Sequence, residues 1–374
     1  MTWPQFHVKM VGNWIRQALL LGMLVLLGCG ESGMSQQDPM EEFVLSTQSQ
    51  TKARAEAVLS LQGSEDVSHL LQPIDLPDLE SNQSEEAEYA PNPAVEWVIE
   101  IEFTELEQIS VAQLKEIFDG TFDQGEGRPT IFGKDAQTNQ WTYAIAADGP
   151  ESVTAVQLAW DYFQAWKGPE SICNELGFQK RLDATSAVLQ EHSIAANITP
   201  SRLPKEAFAR TEELAVLPED YDKYFIIQLQ APEGTVFEGR DIWDVMHCLG
   251  LIWGDMDCFH WDNPSGIGDD YFFSVESTTP PGFFLPEQIA AGELQTEDLI
   301  FLFSIPRSAA PLEVISRMDK AAHYAQKRLG GTIHYQVGED RMSLENATNE
   351  VRQMADILTE NGFQPGSDSA LQLF

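Results

Sequence analysis

Apolar side chains occupy alternate positions at Trp97, Ile99, Ile101 and Phe103, which predicts a strand with one apolar face. Ser110–Phe118 follows as a short amphipathic helix, and Pro129–Phe132 and Trp141–Ala146 predict two further strands. Glu151–Trp166 is expected to be a helix whose Val153, Val156, Leu158, Trp160 and Phe163 cover more than one face. Ile172–Leu189 adds a helix or strand. Pro200–Asp220, punctuated by Pro204 and Pro218, predicts a connection rather than a core element. The first folded region, 94–200, therefore has the order β-α-β-β-α, with a connector over 201–221.

A second region opens with a strand at Tyr224–Gln230, a helix about Ile242–Leu249, a strand at Leu251–Trp261 and another at Tyr271–Glu276 beyond the Asn263-Pro264-Ser265-Gly266 turn. Leu299–Ile305 is a nearly continuous apolar strand. Pro311–Leu329 is a helix ended by Gly330-Gly331, Thr332–Val337 a short strand, and Leu344–Glu360 a helix stopped by Asn361-Gly362. The fold class expected for 222–361 is α+β, an antiparallel sheet with helices on one face, because helices on one side of a single layer leave the other side wet or able to bind. Both regions begin β-α-β-β, which makes the first a candidate diverged repeat of the second, Trp97–Ala147 matching Tyr224–Glu276 at low identity. Residues 362–374 are expected to form a C-terminal tail.

Composition narrows the function classes. Twenty-two basic against 59 acidic residues leave a net charge of −37 over 374 residues, which excludes a nucleic-acid binder working through its overall field. The hydrophobic content of 43% is too high for a disordered chain. The N-terminus differs in character: Lys9 and Arg16 precede an apolar run from Ala18 to Gly28, too short for a stable span and of secretory type. Its end, Leu26-Leu27-Gly28-Cys29, resembles the lipobox of bacterial lipoproteins, which implies lipidation at Cys29 and a body outside the cytoplasm. Residues 1–29 are thus an anchor segment; a short membrane span is the alternative. From Gly30 to Pro93, 13 acidic residues face only Lys52 and Arg54, which predicts a solvated, flexible acidic linker, although the apolar positions in Leu70–Leu79 leave local packing open.

The second region carries a resemblance. Gly250-Leu251-Ile252-Trp253-Gly254-Asp255-Met256-Asp257-Cys258-Phe259-His260, supported by Phe273-Ser274, Pro281-Gly282-Phe283-Phe284, the Phe301–Pro306 strand end and Gly330-Gly331, resembles the C-terminal domain of ZipA, the bacterial cell-division protein that binds the tail of the tubulin-like FtsZ. The resemblance implies a split β-α-β fold with three helices on one side and a peptide groove on the open face. It also implies a non-enzymatic, membrane-tethered adaptor acting in septum assembly. The positions matching the family's peptide-binding patch are Phe225, Ile227, Met256, Cys258, Thr278 and Leu302. Thr278 stands where the family has an apolar Met, and Pro280 where it has a Lys, which leaves the partner's identity open. ZipA-type domains lie in the cytoplasm, so the lipobox-like anchor offers a competing expectation, an extracytoplasmic lipoprotein reusing the fold as an envelope interaction module.

Other chemistry is weakly signalled. His247-Cys248 with Cys258 and His260 is the one His/Cys group with zinc-type ligands, yet adjacent helical positions point about 100° apart, so no metal is expected. Asp255, Asp257, Asp262, Asp269 and Asp270 lack the spacing of a calcium loop and predict a solvated acidic rim. No GxSxG, Gly-rich phosphate loop or HExxH occurs, so neither enzyme activity nor a cofactor is expected.

Overall fold

The protein is seen in a computed structural model that describes residues 39–77, 89–118, 120–122, 127–162 and 173–374. Two units divide at Lys52; the first, Met1–Lys52, is described only over the start of helix α1 (Pro39–Leu59), and Ala53–Phe374 form the second. The second unit contains two α+β lobes.

In the first lobe, β1 (Glu96–Phe103) buries Trp97, Ile99 and Ile101 on one face. Next come β2 (Ile109–Ser110), α2 (Val111–Phe118), β3 (Thr130–Asp135), β4 (Trp141–Tyr143) and β5 (Ser152–Asp161), then α3 (Glu175–Glu191), β6 (Ala196–Pro200) and α4 (Pro204–Tyr221). The sheet order is β4-β3-β5-β1-β6, with β2 on the start of β5. Two expectations are corrected. Residues 152–161 form a strand, since Val156, Leu158 and Trp160 fall on every second position and meet Ile101, Ile99 and Trp97 across the ladder. Val153 joins the same core as Val156 and Trp160, and these three also fit a helical spacing, which imitates a helix. The expected connector is α4: Ala207, Thr211, Leu214 and Leu217 make a buried stripe at helical spacing, Pro204 sits in the first turn where no donor is needed, and the Thr211 hydroxyl donates to the Tyr162 carbonyl at 3.0 Å.

In the second lobe, β7 (Tyr224–Gln230), β8 (Phe237–Glu238), α5 (Gly239–Cys248), β9 (Ile252–Trp253), β10 (Phe259–Asp262), β11 (Tyr271–Glu276), α6 (Pro286–Ala291), β12 (Gln295–Thr296) and β13 (Asp298–Ser304) lead into α7 (Pro311–Leu329), β14 (Thr332–Val337), β15 (Asp340–Met342) and α8 (Leu344–Glu360). The sheet runs β15-β14-β7-β13-β11-β10-β9. The single strand expected over Leu251–Trp261 is instead the antiparallel pair β9–β10 around a tight turn at Asp255–Asp257. On α7, Val314, Met318, Ala321, Ala322 and Ala325 are fully buried, and this row of small side chains lets the helix lie close on the sheet. Gly331, with φ 93°, ends that connection where a Cβ would collide with the Gln230 carbonyl.

The lobes share a split β-α-β unit. In β5–α3–β6 the two strands flank the inserted β1, and in β13–α7–β14 they flank β7; β2 on β5 and β8 on β12 add a matching short pair. The hairpins differ, since the earlier strand, β3, neighbours β5, whereas the later one, β11, neighbours β13. The correspondence is confined to these central elements.

Two segments expected to be loose are packed. Val58 and Leu71 are buried in the second lobe's core, with Val67, Leu70, Ile74 and Leu76 packed against it, so part of the linker is held by apolar contact. Arg328 adds a polar clasp, reaching Glu65 at 3.0 Å and Asp244 at 2.6 Å, while the Ser64 hydroxyl donates to Asp244 at 2.8 Å. The C-terminal tail returns to the first lobe: Phe363 and Ala370 are fully buried in that lobe's core, and α9 (Asp368–Leu373) offers Ser369 and Gln372 to the Asn92 side-chain amide at 3.0 and 2.9 Å. Among the described residues no helix is long and apolar enough to cross a membrane; the anchor segment and Cys29 lie outside the described residues.

Arg328→Ala should loosen the linker clasp without unfolding the lobe. Hydrogen–deuterium exchange of residues 64–72 is expected to quicken about tenfold, the equivalent of roughly 1.4 kcal/mol of local opening, while β7 and β13 stay protected. Unchanged exchange would mean that Leu71 and its apolar neighbours suffice.

Candidate functional site

The seven-stranded sheet has one covered and one bare face, and strand parity decides which side chains lie on each. Phe225, Ile227 and Leu229 of β7 register with Phe303, Phe301 and Leu299 of β13, and all belong to the core beneath the helices. Their neighbours must point the other way. Ile226 pairs with Leu302, Gln228 with Ile300, and Leu302 in turn with Ser274. Ile226 and Leu302 are half-buried rather than sealed, and none of Ile226, Ile300 and Leu302 joins the helix-packed core.

At one edge of this face stand two exposed apolar groups, Ile252 at 55% and Met256 at 52% exposure. Met256 and Asp257 have φ of 54° and 56°, the left-handed region that costs an L side chain roughly 1–2 kcal/mol. The turn tolerates this because Asp257 and Cys258 donate their amides to the Gly254 and Asp255 carbonyls at 3.0 and 3.2 Å. A large apolar side chain is thus held strained and in water, which is typical of a functional position. Behind the turn, buried His260 donates from Nε2 to the Asp255 carbonyl at 2.8 Å, accepts from the Ser274 hydroxyl at 2.8 Å and stacks on Tyr271 at 4.0 Å between centroids. A register shift at Trp261/Asp262 brings Tyr271 onto the His260 side of the sheet.

A polar belt bounds the apolar strip. Arg341 of β15 donates to Gln228 at 2.6 Å, and Gln228 donates to buried Asp298 at 2.7 Å. Asp298 also accepts the Thr278 amide at 2.9 Å, the Thr278 hydroxyl at 2.6 Å and the Ser277 hydroxyl at 3.2 Å. The belt is satisfied and therefore rigid. Glu276, opposite Ile300, differs: burial, and then the nearby Asp298 charge, push its carboxyl up to about 7. Burial likewise pushes the Cys258 thiol up to about 12, with Glu276, Asp257 and Asp255 adding to the effect, so the buried thiol stays protonated and donates weakly.

The sequence-derived patch is divided by this geometry. Leu302 lies on the bare face, Met256 at its rim, and Cys258 is buried behind that rim with its thiol donating to the Met256 carbonyl at 3.4 Å. Thr278 is exposed but ends the belt. Phe225 and Ile227 are corrected: both are fully buried beneath α7, one residue out of phase with the bare face. Ile226, Ile300, Ile252 and Glu276 were missed. The usable signal was Gln228 and Gln230, polar residues that share parity with Ile226 and so mark the side away from the core. Among the described residues no three His, Cys, Asp or Glu side chains gather as metal ligands.

Residues 223–354 match the family model described as ZipA, C-terminal FtsZ-binding domain. The chain is similar to the cell division protein ZipA of Marinobacter nauticus, 29% identical over 108 residues that make up 29% of this chain and 31% of that protein. It is similar to the ZipA proteins of Shewanella woodyi, 24% identical over 159 residues with 42% and 48% of the two chains covered, and Vibrio vulnificus, 26% over 159 residues with 40% and 50% covered. The chain thus spans about a third to a half of the length of these relatives, and the matched part carries the α+β architecture and the bare sheet face.

Glu276 gives the face a pH signature. Its carboxyl ionises higher in the folded chain than in the unfolded one, so its contribution to stability is full below about pH 4.5 and is lost as pH rises through about 7. Glu276→Gln should flatten that part of the stability curve and gain about 1–3 kcal/mol at pH 8 relative to its effect at pH 4.5, read by urea unfolding at the two pH values.

Proposed function

We propose that the second lobe is a non-enzymatic peptide receptor, and that its bare sheet face takes a short segment of the FtsZ-tail kind in the manner of a division adaptor. The observation that carries this reading is the unsealed Ile226–Leu302 pair, flanked by buried Ile300 and by exposed Ile252 and Met256, on the face opposite every described helix of the lobe. Apolar anchors that become fully desolvated in such a strip contribute roughly 1–3 kcal/mol each, enough for a micromolar complex from three or four of them. The match of residues 223–354 to a domain described as FtsZ-binding supports the choice of guest. Partial loss of water around Glu276 favours its neutral form, so the strip presents less negative charge than the chain as a whole.

In this reading residues 1–29 tether the receptor to a membrane and the acidic segment sets its reach, shortened by the length docked through Leu71 and Arg328. Leu26-Leu27-Gly28-Cys29 favours a second reading, a lipoprotein in which the same face serves an envelope partner.

A labelled FtsZ C-terminal peptide is expected to bind the full chain in fluorescence anisotropy, and Ile226→Asp and Leu302→Asp should each weaken it at least about tenfold with unchanged far-ultraviolet circular dichroism. An undiminished affinity in both variants would remove this face from the reaction. The anchor readings separate by palmitate labelling in cells: incorporation abolished by Cys29→Ser supports the lipoprotein, and absence of label supports the span.

A further inference from the structure

The first lobe lies outside the matched residues, and among the described residues no helix joins the small cluster, Val98, Phe132 and Ala159, on the second face of its sheet. We propose that this face is a second docking surface, built for a basic, arginine-bearing extended segment. The surface is assembled by parity: Thr199, Glu100, Gln157, Phe132 and Tyr143 form one continuous row across β6, β1, β5, β3 and β4. On either side of the row lie Val98 with Ala159 and Glu102 with Ala155.

The row changes character from end to end. Phe132 and Tyr143 meet at 5.1 Å between centroids, Tyr89 lies on Tyr143 at 4.8 Å, and Trp141 packs on the small cluster of Val98, Phe132 and Ala159. Tyr89 and Tyr143 are 47% and 41% exposed, an aromatic surface left in water beside small side chains that keep the neighbouring floor low. Along β1, half-buried Glu100 and exposed Glu102 line the opposite flank. Aromatic rings on β3 and β4, and carboxylates on β1 two to three strand spacings away, suit a segment with more than one arginine, whose guanidinium groups stack on ring faces and donate charge-assisted hydrogen bonds to carboxylates. An acidic guest would face these glutamates, and a purely apolar one would leave them desolvated and unpaired. Charge complementarity therefore selects the guest, and it differs from the second lobe's face, whose middle is aliphatic. This proposal does not depend on the FtsZ reading, because no residue is shared between the two faces.

The test uses the full chain and a labelled dodecapeptide of three Arg-Ala-Gly-Ala repeats, with a Glu-Ala-Gly-Ala counterpart, at about 150 mM salt to screen bulk attraction. The arginine peptide should bind and the glutamate peptide should not. Glu100→Gln with Glu102→Gln, and separately Tyr143→Ala, should raise Kd at least fivefold, while Glu212→Gln with Glu219→Gln, the same charge change at exposed positions of α4, should leave it within twofold. Thermal unfolding of each variant confirms that the lobe is intact. Equal losses in the face and helix variants would mean bulk attraction and overturn the proposal. So would an arginine peptide that binds no better than its acidic counterpart, or a Tyr143→Ala variant whose only change is lost self-association in sedimentation.

Discussion

The alternation of side chains across the β7–β13 ladder is the constraint on which the second lobe depends. Phe225 opposite Phe303 and Ile227 opposite Phe301 commit one side of the sheet to the helices, and the 2.0-residue period then places Ile226 and Leu302 on the other side. No intermediate arrangement exists: sliding one strand by a single residue would put Gln228 among α7's alanines and the phenylalanines in water. The apolar surface on the bare face is thus the obligatory reverse of the core, and its shape is as rigid as the ladder that carries it. The Arg341–Gln228–Asp298–Thr278 belt locks the same strands from the polar side.

How much of this was legible in the sequence varied with how many faces an element buries. Helices α7 and α8 and strand β14 follow from one-sided periodicity and glycine stops, and their ends fall where the pattern breaks. Strand β5 was hidden because Val153, Val156 and Trp160 fit a helical spacing while Val156, Leu158 and Trp160 fit an alternating one. Helix α4 was hidden by its prolines, although both sit near helix ends where backbone donors or acceptors are lost anyway. Of the expected patch, Leu302 lies on the bare face while Phe225 and Ile227 lie in the core, since a run of three apolar residues, Phe225-Ile226-Ile227, has no parity of its own. Register with a partner strand supplies it, and that is tertiary information.

The two lobes show how one topology yields unlike surfaces. In both, a central strand inserted into a split β-α-β unit gives its strongest apolar positions to the helices. The reverse faces have gone separate ways: isoleucine, leucine and methionine in one lobe, tyrosine and glutamate in the other. Both proposed guests are taken by that reverse side, whereas the fold rests on the covered one.

The return of the chain's last helix to the first lobe has a consequence for how the molecule comes into being. Phe363 and Ala370 fill a core whose other members, from Val95 to Leu217, have left the ribosome far earlier. That core lacks two of its apolar members until residues 363–370 have been made, so the later lobe's stretch of chain is synthesised before the earlier lobe's core can be filled.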